Sequence, residues 1–586
     1  MKERAGLKIC VWAWIAPLIF GACSTPSTEI CPGRVAFSSP QTIGFNHNEK
    51  LLVCGDDSRE SWKNIPPAQS EFHLRTFLNQ RGYFRPKFEY QNSVLKVNPG
   101  ALQLTREILY QGAPEHFDDY TLRDVVGIPL TSDVLNTIEG WALARLKNLG
   151  FACPNVKIRA VKETGIVTVN ITPGPRYSIT EPSMKDTLGL YDKTMRRFDA
   201  FALGAPYRSE WMKLSSIRAE NDGIVVSSQL LNTCPQPISV GEGDSLPGLK
   251  IQQQIIGGEK RLVTVGVGAS TEEIPISQLS WKSVRMDQNG SNLLVSLYAS
   301  QREQKLKTTY AYYLFKNAPR FDLSPSIELD RSNERTYHST EVQASLPFSY
   351  HGDTEDHSWL ASFGPATSRV YSDKDATFFS LIGHLNLTSH DYELYQADPR
   401  SGYSLDLNAE VLSPGLQISP IATLLGLTGS HLFQVNWVEP PQWILGFRYA
   451  LATTVTDQVP GSATILPAQY FLTLGGDQNL RGFGRNEITN RSVGGLTSAA
   501  LGTELRFAKT LPVGIEPFVF FDIGSLGEKS FDLESTLYYS PGFGIRWSTP
   551  FGAIRSTLAH GYLSKNREQN EDLEHIQFFI SFGKEF

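Results

Sequence analysis

Cysteine is scarce in this 586-residue chain: six occur, and none follows Cys234. No Cys-x-x-Cys pair or cysteine–histidine cluster with metal-ligand spacing is present, so the sequence offers no metal site. Positive charge is not in excess either. Lys and Arg number 54 against 60 Asp and Glu, a net charge of -6, which lacks the basic footprint of a nucleic-acid binder. Beyond the first two dozen residues, no apolar run reaches the roughly 20 residues of a membrane-spanning helix. Any membrane crossing must then use a closed barrel, the other structure that satisfies every backbone group in lipid. The histidines are scattered, and no nucleophile elbow, phosphate loop or dinucleotide fingerprint occurs. These absences argue against an enzyme and call for no cofactor. The length argues for several domains.

What is present begins with a targeting pattern over residues 1–23. Lys2, Arg4 and Lys8 form a basic start, Ile9 to Phe20 an apolar run, and Gly21-Ala22-Cys23 a small-residue end. Export follows. Ile19-Phe20-Gly21-Ala22-Cys23 approximates a bacterial lipoprotein box with Phe20 in the place of leucine, which leaves lipidation of Cys23 and ordinary cleavage near Ala22 as alternatives. Cys31, Cys54, Cys153 and Cys234 can form two disulfides in an oxidising compartment, with three connectivities open. The cysteine-free remainder suits a segment that crosses the periplasm unfolded. Residues 24–48, rich in Ser, Thr, Pro and Asn, read as a linker.

A long repeat follows. The stretch Ser132 to Asn148 carries Leu135, Ile138, Ala142 and Leu146 at helical spacing and stops at Gly150. Two alternating strands come next, joined by Glu163-Thr164-Gly165. An earlier helix with Phe72, Leu74, Phe77 and Leu78 stops at Gly82, and a later one, Ser209 to Asp222, stops at Gly223. Gaps of 68 and 73 residues between these glycines indicate repeated modules. We place them at 49–99, 100–173 and 174–257, with the first opening strand at Lys50 to Cys54 or further upstream.

From residue 258 the helical period gives way to period-two alternation. Val263, Val265 and Val267 alternate with Thr264, Gly266 and Gly268, and near the end Ile576, Phe578, Ile580 and Phe582 share one face, with Phe586 terminal. Alternation blurs between Tyr310 and Leu451, so the strands cannot be counted from the residues alone. The stretch Gly475-Gly476-Asp477-Gln478-Asn479-Leu480-Arg481-Gly482-Phe483-Gly484 has the glycine density to fold back on itself. An arginine carried into a confined space needs carboxylate partners. Alternation puts Glu504 on the polar face of Leu501 to Phe507 and sets Asp522 opposite the apolar face of Val519, Phe521 and Ile523.

Leu480 to Phe483, the Gly-x-Glu of Glu504 and the Phe-x-Asp-x-Gly of Asp522 together resemble the BamA/TamA family of outer-membrane proteins, and the spelling of the loop looks most like the TamA branch. The resemblance implies α+β polypeptide-transport-associated (POTRA) repeats in the periplasm, followed by an all-β outer-membrane barrel of sixteen antiparallel strands. It implies a loop tip, Leu480, Arg481, Gly482 and Phe483, held in the lumen by Glu504 and Asp522. It further implies a weak lateral seam, at Gly266, Gly268, Phe582 and Phe586, at which client proteins such as autotransporters add a strand and pass into outer-membrane lipid. The implied partners are unfolded client outer-membrane proteins and a large inner-membrane-anchored protein of the TamB type. The alternative is a two-partner-type pore that secretes a polypeptide.

Overall fold

The computed structural model describes residues 27–564 and 575–582, apart from 57, 60–62, 64, 120, 123, 185, 235–245, 396–398, 416–419, 461–464, 491–492, 509, 512–513 and 550–551. The candidate leader, Cys23 and Phe586 lie outside the described residues. Two compact units are present: one holds residues 1–113, 124–142 and 156–171, and the other holds 114–123, 143–155 and 172–586, so the third module and the barrel share a unit.

The first module starts earlier than the composition suggests. Ser27–Cys31 and Val35–Gln41, within the expected linker, form an antiparallel pair, and Val35–Gln41 runs parallel to Val94–Asn98. Ile30, Cys31, Val35 and Phe37 bury against Leu74, Leu78, Leu95 and Val97. This short inward alternation outweighs the Ser/Pro content around it. Of the two expected positions for the opening strand, the upstream one is found, and Lys50 to Cys54 lies in helix α1 (His47–Cys54). Asn46 accepts from the Glu49 N–H while Glu49 accepts from the Asn46 N–H, both at 2.8 Å, a reciprocal cap that fixes the helix start. Helix α2 (Pro67–Gln80) and the hairpin Lys87–Gln91/Val94–Asn98 complete the module.

The same topology recurs twice. In the second module Glu107–Gln111 runs parallel to Ile166–Thr172, whose sheet also holds Asn155–Val161, with α3 (Ser132–Asn148) between the opening strand and that pair in sequence. In the third, Ser178–Ile179 and Ser183–Met184 run parallel to Gly248–Ile256, which pairs antiparallel with Ser227–Thr233. Helix α4 (Ser209–Asp222) precedes this pair and ends on Gly223 in the left-handed region, φ 77°. In both later modules a short 3-10 turn, Phe117–Asp119 or Thr194–Phe198, stands where the first module has α1. The disulfides are Cys31–Cys54 and Cys153–Cys234.

The barrel closes through sixteen principal antiparallel strands. They are β1 (Arg261–Ser270), β2 (Ile276–Ser283), β3 (Asn292–Ala299), β4 (Glu303–Ala311), β5 (Ser326–Asn333), β6 (His338–Ser345), β7 (His357–Tyr371) and β8 (Ala376–Ser389). Then come β9 (Gly402–Pro414), β10 (Ala422–Gln434), β11 (Trp443–Val455), β12 (Thr497–Phe507), β13 (Ile515–Gly527), β14 (Tyr538–Thr549), β15 (Gly552–His560) and β16 (Ile576–Phe582). Alternation sorts the faces: Val263, Val265 and Val267 of β1 are at least 65% exposed on the outer wall, while Glu504 and Asp522 are buried inside. Residues 456–496, between β11 and β12, form the long loop that fills part of the lumen.

The disulfides close loops of 23 and 81 residues. Cross-links of this span restrict the unfolded chain and stabilise by about 2–4 kcal/mol. Replacing Cys31 and Cys54 by serine is expected to make the first module sensitive to limited proteolysis, and replacing Cys153 and Cys234, which belong to the second and third modules, to expose those two, while the barrel fragment keeps its protease resistance.

Candidate functional site

The loop after β11 enters the lumen as an irregular hairpin. Leu472 bridges Gly495 and Leu474 bridges Ile488, so the two arms hold one another through backbone bonds of 2.7 to 3.1 Å. Gly475 and Gly476 then adopt φ of 108° and 104°, open to glycine and rarely to other residues, and the chain reverses with Gly476 N–H donating to the Phe483 carbonyl at 2.9 Å. Leu480 and Phe483 pack with Leu474, Ile488, Ala500, Leu526 and Tyr538, and the rings of Phe483 and Tyr538 meet edge to face. Gly482 lies on the backbone of His560-Gly561. A Cβ there would fall 2.7 Å from the Gly561 nitrogen, so any side chain lifts the tip away.

Between these anchors Arg481 is wholly buried. Its Nε and one terminal nitrogen donate to the two Asp522 oxygens at 2.9 and 2.7 Å; its other terminal nitrogen donates to Glu504 at 2.9 Å. Its backbone N–H also donates to Asp522, at 3.1 Å. Arg506 Nε donates to the second Glu504 oxygen at 2.7 Å, so that carboxylate is shared between two guanidinium groups. The third side of the Arg481 plane is aromatic: its Cζ lies 3.4 Å from the centroid of Phe520. Two empty positions make this fit. Gly502, paired with Asp522 across β12 and β13, leaves room for its carboxylate, and Gly542 on β14 leaves room for the Phe520 ring. The fork geometry explains arginine here, since lysine presents a point charge that cannot span both acids.

A second ionic layer escaped the sequence reading. Asp477 pairs with Arg555 of β15, and its N–H donates to Glu272, in the turn between β1 and β2, at 3.3 Å. Arg485 pairs with Glu273 of that turn and with Glu334, in the β5–β6 turn, at 2.6 Å. Glu487 sits 3.6 Å from His575 at the start of β16. The loop tip therefore holds both flanks of the place where the barrel closes: β15 and the approach to β16 on one side, the β1–β2 turn on the other. Asp477 and Arg485 flank the recognised tip in sequence, but their partners lie more than 70 residues away, beyond what spacing can indicate.

At the closure itself, β1 pairs with β16 through two residue pairs among the described residues, Ala269 with Phe582 and Ser270 with Ser581. The adjoining ladders are longer, eight pairs between β1 and β2 and seven between β15 and β16. Gly266 and Gly268 do not interrupt the β1–β2 ladder; they pair there with Gln278 and Ile276. Gly268 faces the Phe582 carbonyl, which a Cβ would approach to 3.0 Å, whereas Gly266 has only Gln278 beside it. The two glycines thus lie on the strand that meets β16, with Gly268 directly at the described part of the seam.

Residues 263–586, more than half of the chain, match the Omp85 superfamily domain. The chain belongs to the Omp85 superfamily. Among solved structures, BamA of Haemophilus ducreyi lacking POTRA domains 1–3 is similar at 14% identity and a TM-score of 0.48, over 82% of this chain and 99% of that one. CdiB from Acinetobacter baumannii is similar at 13% identity and a TM-score of 0.43, over 88% and 97%. CdiB from Escherichia coli is similar at 12% identity and 0.44, over 87% and 95%. No curated protein matches the sequence.

Membership makes this an outer-membrane barrel and gives the ionic contacts of its third module with the strand ends a setting. In this Omp85 chain Arg218 of α4 donates to both oxygens of Glu393, in the β8–β9 turn, at 2.7 and 2.6 Å, and lies 2.8 Å from Asp353, before β7. Asp222 meets Lys282 of β2 at 2.9 Å, and Arg197 lies 3.9 Å over the Tyr313 ring. The module therefore grips several separate hairpins at one end of the barrel, while the loop tip grips others from within.

Two outcomes are expected. Arg481→Ala leaves two buried carboxylates without their main cation and should destabilise the barrel by about 3–5 kcal/mol, read as a lower temperature for loss of the compact band on semi-native gels; Arg481→Lys should recover only part of it. Burial, with the Asp477 carboxylate nearby, pushes the Glu272 carboxyl up to about 7 from an ordinary value of 4.5. Between those values the folded state keeps a proton the unfolded chain has released, so this group favours folding most at the acid end, an advantage lost as pH rises to 7. Glu272→Gln should flatten that part of the barrel's stability profile, measured as unfolding temperature against pH.

Proposed function

We propose that this Omp85 protein is an outer-membrane translocation and assembly factor of the TamA branch, which inserts client proteins by adding their strands at the β1 edge. The observation that carries this reading is the hold of the loop tip on both flanks of the closure: from the lumen Asp477 pairs with Arg555 of β15 and contacts Glu272 of the β1–β2 turn, beside the place where β1 meets β16. Ladder hydrogen bonds and cross-strand pairs hold neighbouring strands together. Opening of the β1–β16 joint exposes a strand edge that accepts an extended segment. Three modules with free sheet edges support delivery of unfolded clients from the periplasmic side. A large inner-membrane-anchored partner of the TamB type fits the same scheme.

Locking the seam tests it. Ala269 and Phe582 stand directly opposite one another, a relation that brings Cα atoms within disulfide range. In cells carrying Ala269→Cys with Phe582→Cys, oxidation is expected to stop the appearance of new integral barrels in the outer membrane, and reductant to restore it, with the wild type unaffected by either treatment. Unchanged insertion through a locked seam overturns the proposal. Loss of a secreted polypeptide, with barrel insertion intact, shows export through the lumen instead.

A further inference from the structure

We propose that the third module carries a pocket for a cationic side chain, lysine or arginine, presented by an extended partner polypeptide at the broken edge of its sheet. Ser178–Ile179 and Ser183–Met184 both run along one side of Gly248–Ile256, and between them the ladder lapses. Pro182, in the gap, has no N–H to continue it. The far side of Ser183–Met184 is unpaired among the described residues, so backbone donors and acceptors face outward there. A cavity of about 360 Å³ opens at this break. Exposed Glu181, Ser183 and Asp192 stand at its rim, and buried Met195, Asp199 and Gln253 form its floor.

Asp199, which follows the 3-10 turn Thr194–Phe198, is the group that needs a partner. It is 8% exposed, and among the described residues its carboxylate has neither a hydrogen-bond donor nor an ion pair; its backbone carbonyl instead accepts from Arg320 at 2.8 Å and from Arg218 at 3.4 Å. The cations nearby are committed to other acids. Arg196 pairs with Glu181, Arg320 meets Asp353 at 2.8 Å, and Arg218 is shared by Asp353 and Glu393 at 2.8 and 2.6 Å. Burial pushes the Asp199 carboxyl up to about 7, against the pull of Arg320, Arg196 and Arg218 and with the push of Asp353. A buried acid without a partner is costly, and a cation entering from the rim offsets that cost. Asp192 at the mouth adds a second negative charge, while Met184 and Met195 give the methylene stem of lysine or arginine apolar, polarizable walls. The open edge supplies backbone pairing, and the pocket supplies the choice of side chain. Binding here does not require the β1–β16 joint to open, so it stands apart from the insertion scheme.

Fluorescence anisotropy with the full chain in mild detergent tests this. The probes are labelled peptides of alternating valine and threonine that carry lysine, arginine, norleucine or glutamate at the centre. At pH 8 the lysine and arginine peptides are expected to bind about tenfold more tightly than the norleucine peptide, and the glutamate peptide more weakly still. At pH 6, where Asp199 holds its proton, that preference should shrink. Asp199→Asn keeps the shape of the floor and removes a buried charge, so the variant should keep the compact band on semi-native gels and bind the norleucine peptide as wild type does, with no preference for a cation at either pH. The proposal is overturned if the cationic peptides bind wild type no better than norleucine does, or if folded Asp199→Asn keeps the preference.

Discussion

A guanidinium removed from water is tolerable only where fixed acceptors replace the hydration it gives up, and this barrel supplies them at Arg481. The desolvation of Arg481, Asp522 and Glu504 is offset by their mutual contacts, so the ensemble adds little net stability by itself. Its importance lies in what each partner belongs to. Arg481 is on a loop that begins at β11, Asp522 is on β13, Glu504 on β12, and the Phe520 platform rests in a space left by Gly542 of β14. Withdrawing the loop takes the guanidinium from Asp522 and from one oxygen of Glu504, whose other oxygen keeps Arg506, so the loop is either fully seated or costly to displace.

The same loop then acts on the joint it does not form. Asp477, Arg485 and Glu487 reach β15, the β1–β2 turn and the approach to β16. The two edges that meet at Ala269–Ser270 and Ser581–Phe582 are thereby also held from inside, through side chains of the loop. Seating and closure are coupled because Asp477 is four residues from Arg481, too close for one to move without the other.

Legibility in the sequence followed the range of each interaction. The tip and its two acids were readable because their partners sit on strands whose alternation is clean, and because each position is forced: arginine by its fork, glycine by backbone contact at Gly561. The module helices were readable from their apolar stripes. The first two strands were not, since Ile30, Val35 and Phe37 are few and stand among Ser and Pro, and their burial depends on helix α2 and on Val94–Asn98, far along the chain. The strands from β5 to β10 blurred for a related reason. Phe378 of β8 points inward yet is apolar, since the lumen there is filled by Tyr470 and Phe471 of the loop rather than by water. An inner face packed against protein loses the polar half of the alternation, so strands facing the loop read as featureless apolar runs.

These features distribute the restraints of the wall unevenly. Strands β7 and β8 share fourteen consecutive pairs, and the third module ties the ends of that region through Arg218, Asp353 and Glu393. The other flank has the β1–β16 joint and a loop that staples it. If the wall opens there, the ionic contacts of Asp477 and Arg485 must be surrendered first. Opening at β1 and β16 thus requires no rupture of β7 to β12, so the third module and the long hairpins can remain as a rigid frame while only the edge beside the loop tip yields.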